Sequence, residues 1–153
     1  MSYKQPPNLN QEEIQEFIKT AKIARICTHN KDGTIHAVPV WYTYIDKKFH
    51  IGTVIGGKRY WNMKRNQNIT LLIDVYEGAQ KGLIVYGNVE LESENAYETG
   101  VKIFSRYMSE ESAVKYADGL FGLTDWIIAV VTPFKFASFD YSKDVAYAKA
   151  TTF

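Results

Sequence analysis

A chain of 153 residues, 46% of them hydrophobic, can bury one core and is too short for two, so a single domain over 1–153 is expected. Its 18 basic and 17 acidic residues leave a formal net charge of +1, which excludes the whole-molecule field that favours nucleic acid or an anionic membrane. The single cysteine, Cys27, excludes an internal disulfide and a multi-cysteine metal site, and fits a reducing interior. The opening MSYKQPPNLNQEE is polar and no apolar run approaches about 20 residues, so a soluble, cytoplasmic protein with neither membrane nor nucleic-acid partner is expected. The excess is aromatic: 11 Tyr, 8 Phe and 3 Trp are more than a small core needs, which points to flat side chains lining a ligand or an interface.

In chain order, Asn10 followed by Glu13 has capping-box spacing, and Ile14, Phe17, Ile18 and Ala21 recur on one face, which predicts a helix over 10–20. KIARICTH reads as a strand ending at the turn NKDG, and TIHAVPVWYTYI as a second strand. A turn at 46–48 returns the chain into KFHIGT, giving three strands in meander order. KRYWNMKRN suits a short helix, ITLLIDVY an apolar strand, and LIVYGNVELES another strand after the turn EGAQKG. Residues 93–115 turn helical, with Val101, Phe104, Tyr107 and Met108 on one buried face, and DGLFGLTD reads as a loop. WIIAVVTPFKFASFDY supplies one long or two short strands, interrupted at Pro133, which marks an edge or a bulge. The pattern is mainly β: six or seven antiparallel strands with two or three helices and no βαβ alternation, favouring a closed or split β-barrel.

The segment GTVIGGKRYWNMKRN contains what a phosphate site needs: glycines that let backbone amides approach an anion, a hydroxyl at Thr53, and Lys58 with Arg59 at a helix start. It matches neither the Walker pattern nor GxGxxG, so a glycine-rich loop with solvent-facing cations remains equally open. The histidines His29, His36 and His50 lack the spacing of a metal site, Cys27 reads as a small core residue, and no residue set is assigned as catalytic. Any chemistry is then expected from a bound cofactor. Alternation sets His36, Val38, Val40 and Tyr42 on one face of the second strand and Ala37, Pro39, Trp41 and Thr43 on the other. Both faces need cover, the second from a partner subunit, a flat ligand or a helix of the same chain.

The order of these motifs resembles the pyridoxamine phosphate oxidase-like, FMN-binding split-barrel family with its deazaflavin-using relatives. HAVPVWY, a hairpin, a strand ending in GT, the GGKR loop, a helix ending in asparagine and ITLLID all recur in that order. The similarity spans 22–92, and more weakly 133–139. The resemblance implies a six- to seven-stranded antiparallel split barrel, a homodimer, and FMN at the subunit interface. It implies that the strand carrying His36, Val38, Pro39, Val40 and Trp41 runs along the flavin edge, its backbone against the ring. Thr53 then stands beside the ribityl phosphate and Lys58 with Arg59 hold it. The family's oxidase has an arginine where this chain has His36, a glutamine near Gly82 and a tryptophan at Phe139. Its arginine- and histidine-rich C-terminal segment has no counterpart in DYSKDVAYAKATTF, so oxidation of pyridoxamine phosphate is not expected. The expected function is that of a flavin-dependent oxidoreductase of unknown substrate. One alternative is a deazaflavin-dependent reductase, with Lys64, Arg65 and Lys81 toward the longer acidic tail; another is a flavin-binding or sensing module without turnover.

Overall fold

The computed structural model describes residues 4–75 and 77–152. Tyr76, the end of the run ITLLIDVY, lies outside the described residues, as do Met1, Ser2, Tyr3 and Phe153. The helix α1 (Gln11–Thr20) starts at the expected capping box: the Asn10 side chain accepts from the Glu13 amide and the Glu13 carboxylate accepts from the Asn10 amide. Strands β1 (Ala24–His29), β2 (Ile35–Val40), β3 (Thr43–Ile45), β4 (Lys48–Val54), β5 (Asn68–Val75), β6 (Lys81–Glu92) and β7 (Trp126–Asp140) form one antiparallel sheet. Helices α2 (Lys58–Arg65), α3 (Ala96–Phe104), α4 (Glu110–Leu123) and α5 (Val145–Thr151), with a 3-10 turn at Tyr141–Lys143, complete the described elements, more than the two or three helices expected.

The sheet order is β2-β1-β5-β6-β7-β4-β3, which puts β2 and β3 at opposite edges although only Trp41 and Tyr42 separate them in sequence. Three residue steps span at most about 11 Å, so the two edges must meet at that bend and the sheet must curl into a barrel. The single strand expected over TIHAVPVWYTYI is therefore two, and the meander is broken there. The reason is packing: Tyr42 turns into the barrel core, fully buried, while Trp41 turns outward against α3 and α4.

The expectation for DGLFGLTD also fails, because α4 runs on through Gly119 and Gly122 to Leu123. Ala113 and Ala117 are fully buried and Leu120 and Phe121 extend the same apolar face, so packing outweighs the roughly 1 kcal/mol helix penalty of each glycine. Pro133 marks a bulge, as expected, within one long strand: β7 is continuous, and Gly87 pairs with Pro133 while Tyr86 pairs with Lys135, which leaves Phe134 as the bulge residue pointing to solvent.

Two apolar clusters result. The barrel interior is built around Ile26, Tyr42, Phe49, Ile51, Leu71 and Leu83. The second lies between α3, α4 and the outer face of β7, with Trp41 at its margin. The helices of the chain itself thus cover the Trp41 ring, while Ala37 and Pro39 on the same face of β2 stay exposed.

The two clusters are tied together at the bend by Arg106. Its guanidinium donates to the carbonyls of Tyr42 (2.6 Å), Lys19 (2.9 Å) and Ala21 (2.8 Å), and lies 4.5 Å from the Tyr42 ring centroid. The Tyr42 hydroxyl donates to the Ile18 and Ala21 carbonyls, and the Tyr107 hydroxyl donates to the Lys22 carbonyl. The carbonyls at the end of α1 are satisfied in this way by Arg106, 85 to 87 residues further on, and by Tyr42, 21 to 24 residues further on.

Candidate functional site

The bend opens a seam. Among the described residues, strand β2 pairs with β1 on one side and with no strand on the other, and β4 pairs with β3 only over Lys48–His50, so 51–54 has β7 on one side alone. Two backbone edges without a neighbouring strand among the described residues therefore diverge from Trp41 and Tyr42. Over His36 to Val40 the β2 edge is about 13 Å long. At the far end α2 packs on β1, the strand beside β2, and on β4.

Polar side chains fix that packing. Asn62 is buried, and its amide donates to Thr28 Oγ1 (3.1 Å) and Asn30 Oδ1 (2.8 Å), while Arg65 donates a short hydrogen bond to Asn62 Oδ1. Thr28 is the register partner of His36, so this network stands beside the start of β2. It has no sequence signature: an asparagine in a short helix reads as a surface residue until its partners on β1 are known.

The three glycines ahead of α2 have separate jobs. Gly56 takes φ +85° in the turn, and Gly57 is the N-cap, with no side chain closing the first-turn amides. Gly52 makes room for an indole: a Cβ there would lie 1.5 Å from the Trp126 ring, and one on Gly100 2.8 Å from the same ring. Part of the glycine signal is thus packing of Trp126 and not anion binding.

Lys58 and Arg59 part company. Arg59 folds back over the β4 edge, donating to the Gly52 carbonyl at 2.7 Å and reaching the Thr53 hydroxyl at 3.4 Å. Its Nε is buried and has no hydrogen-bond partner, and among the described residues no carboxylate pairs with it. Burial pulls its guanidinium below the ordinary arginine range, yet an arginine stays charged. A half-buried, unpaired cation next to the open amides of a helix start costs free energy until an anion arrives. Thr53, itself buried, supplies a hydroxyl at the same place. These residues fit a phosphate.

Lys58 is exposed and lines a different opening, a pocket of about 380 Å³ with Lys31, Asp32, Trp61, Asn62 and Arg65. Asp32 stays below the usual carboxylate range because Thr34 hydrogen-bonds it, with Lys58 adding a smaller electrostatic pull.

The remaining expected positions fall as follows. His36 is half-buried and its Nδ1 is a second buried nitrogen without a partner. Val38 and Val40 face the barrel core and Pro39 is exposed. The Trp41 ring stacks on Tyr107 at 4.5 Å between centroids, so what it offers the seam is backbone. Gly82 is not brought to the others: it pairs with Phe139 at the start of β6, and a Cβ there would meet the Phe139 ring at 2.6 Å. Thr53 is tied to the other end, since its partner Ile127 adjoins Ile128, the partner of Glu92. Ten residue steps of β6, about 33 Å of strand, lie between. Lys81 sits there too, over the Phe17 ring, away from Lys64 and Arg65 on α2.

His29 and His36 lie on paired strands and His50 on β4. Among the described residues no group of three His, Cys, Asp or Glu is placed to hold a metal. In the same residues no helix is long and apolar enough to cross a membrane.

The profile of the pyridoxamine 5'-phosphate oxidase family matches residues 11–125. No curated protein matches the chain. Among solved structures, a conserved hypothetical protein from Mycobacterium tuberculosis superposes with TM-score 0.78 at 20% identity, covering 92% of each chain. An F420 reductase gives 0.64 at 18% identity, covering 80% of this chain and 94% of that one. The haem storage protein HutZ from Vibrio cholerae gives 0.66 at 16% identity, covering 85% and 93%. At these identities the likeness is one of fold, the seven-stranded split barrel with flanking helices; proteins whose names point to different ligands share it, so the ligand has to be argued from the site.

Proposed function

Because the chain belongs to the pyridoxamine 5'-phosphate oxidase family, we propose that it binds FMN in the seam between β2 and β4 and acts as a flavin-dependent oxidoreductase. The observation that carries this reading is Arg59, a half-buried cation with a spare Nε and no carboxylate, beside Thr53 and the uncapped start of α2. In this reading Arg59, Thr53 and the α2 amides hold the phosphate, with Lys58 adding charge from the rim. The β2 edge from His36 through Val38, Pro39 and Val40 to Trp41 presents its backbone to the ring. FMN, when bound, supplies hydride and single-electron transfer. The chain's part is to bind, to orient, and to exclude water along one edge.

The seam is open on one side in a single chain, and Val54, Ile55 and Leu123 are exposed around its α2 end. A second copy of the chain would close it, which supports a homodimer of about twice 17.5 kDa. Gly82, remote in its own chain, would then line the site only from the partner. Pyridoxamine phosphate is not the substrate in this reading, because its own phosphate needs a second fixed donor set. The tail offers Lys143 and Lys149, and no arginine follows Arg106.

A deazaflavin is the second reading. It is favoured by the pocket beyond the phosphate hook, where Lys31, Lys58 and Arg65 surround an opening next to exposed Trp61 and could take a longer acidic tail. A binding module without turnover is the third.

Titration of the purified protein separates them. FMN should bind more tightly than riboflavin, and Arg59→Ala should weaken FMN about tenfold or more while leaving riboflavin unchanged. Equal loss for both flavins, or no loss, would overturn the phosphate assignment. Tighter binding of F420 than of FMN selects the second reading, and failure of the reduced, loaded protein to pass electrons to any added acceptor selects the third. Sedimentation tests the dimer, and a monomer that still binds FMN would overturn it.

A further inference from the structure

The two ends of β2 differ in chemistry. The His36 end adjoins Lys31, Lys58 and Arg65, whereas the other end is walled by Ile23, Pro39, Val40, Trp41 and Tyr116 around a second pocket of about 340 Å³. No carboxylate, amine or guanidinium lines that second pocket. Lys22, the neighbour of Ile23, is engaged elsewhere, donating to the Arg106 carbonyl with its ammonium 5.7 Å from the Tyr107 ring centroid.

The aromatic wall is held in place. Trp41 stacks on Tyr107 with 11° between planes, and Tyr116 stands edge-on to Phe104 at 4.6 Å and 5.9 Å from Trp41. Tyr116 is nevertheless 47% exposed, and its hydroxyl has no partner among the described residues. A fixed, half-exposed aromatic with a free hydroxyl over an apolar floor suits a flat ligand that brings one polar group.

We propose that this pocket receives a small, planar, uncharged aromatic molecule, stacked against Tyr116 and Trp41. As the place of the substrate beside the flavin edge it rests on the FMN reading; as a binding pocket it does not. A pocket of about 340 Å³ lies in the range of small-molecule sites. Five lining residues are far fewer than the roughly 20 to 30 that each partner brings to a stable protein interface. The uncharged lining selects against ionic ligands, since an anion would give up its hydration with no cation to replace it.

Calorimetric titration of the full chain without flavin, using 2-naphthol and 2-naphthalenesulfonate, tests this directly. The naphthol should bind and the sulfonate should bind at least about tenfold more weakly. Tyr116→Ala should weaken naphthol by about fivefold, with Tyr116→Phe keeping most of the affinity, since stacking carries the interaction. Circular dichroism of each variant confirms the fold. Equal affinity for the two probes, or an unchanged Kd in Tyr116→Ala, would overturn the proposal. So would naphthol affinity that falls as protein concentration rises, because a second copy would then be the occupant. Because Pro39, Val40 and Trp41 also border the place given to the flavin ring, FMN added to the naphthol-loaded protein should leave the naphthol bound; displacement of naphthol by FMN would give this pocket to the ring and overturn the proposal, whereas failure of FMN to bind leaves the naphthol result intact.

Discussion

Two arginines differ in how completely the fold itself uses them. Arg106 spends its guanidinium on three carbonyls and an aromatic face, joining α1, the bend and the turn after α3. Arg59 is also half-buried, but makes one good hydrogen bond, to Gly52, a long one to Thr53, and leaves Nε unmatched. The first is complete within the chain. The second is incomplete in a way that a phosphate would remedy.

The largest expected effect comes from Arg106→Ala. It strips three carbonyls of a charged donor and should cost about 3–5 kcal/mol, lowering Tm by roughly 10 °C. Thermal unfolding checks this; a loss under about 1 kcal/mol would break the contrast. Arg59→Ala is the matched test, expected to change unfolding free energy by no more than about 1 kcal/mol, because it also removes an unpaired charge. If it unfolds the protein as readily as Arg106→Ala, Arg59 is structural.

Tyr42 sharpens the comparison through pH. Burial pushes its hydroxyl up to about 12, against an ordinary 10.0. The neutral hydroxyl is the one that donates to Ile18 and Ala21, so the unfolded chain gives up its proton first. Stability should be flat below pH 10 in this respect and fall as pH climbs from 10 to 12, by about 3 kcal/mol when complete. Urea unfolding at pH 8 and pH 11 measures it, and Tyr42→Phe should remove most of the slope. Tyr107, also raised by burial, adds in the same direction, so a residual slope in Tyr42→Phe is expected and an undiminished one is not.

The smallest effect is assigned to Lys58→Ala. An exposed lysine on a flexible stem acts at a distance, and its removal should weaken FMN by about threefold, with the loss shrinking as salt is raised. A loss as large as that of Arg59→Ala would place both residues on the phosphate.

Much of the fold was legible because its signals are local. The capping box of Asn10 and Glu13 is a matter of three-residue spacing, and it forms as written. The hydrophobic alternation of β1 and β4 and the apolar run of β5 gave their strands. The motif order GT, GGKR and ITLLID gave the family, which the profile over residues 11–125 supports. Within the site, one short segment of sequence names Thr53 and Arg59 together, and the structure sets the arginine 3.4 Å from the hydroxyl.

What the sequence alone determined, then, is the class of fold, the position of the phosphate-binding candidates on the chain, and the starts of α1 and α2, which rest on short local patterns. Tertiary structure decided the rest. The break at Trp41 and Tyr42 exists because two clusters on opposite sides of the sheet compete for adjacent rings. The continuation of α4 through Gly119 and Gly122 depends on a buried alanine face that no local propensity reports. Gly52 reads as an anion loop until Trp126, 74 residues later, is seen to need the space. The separation of Lys58 from Arg59 is equally invisible in sequence, because neighbours on a helix point about 100° apart and only the packing of α2 on β1 and β4 says which direction leads to the seam.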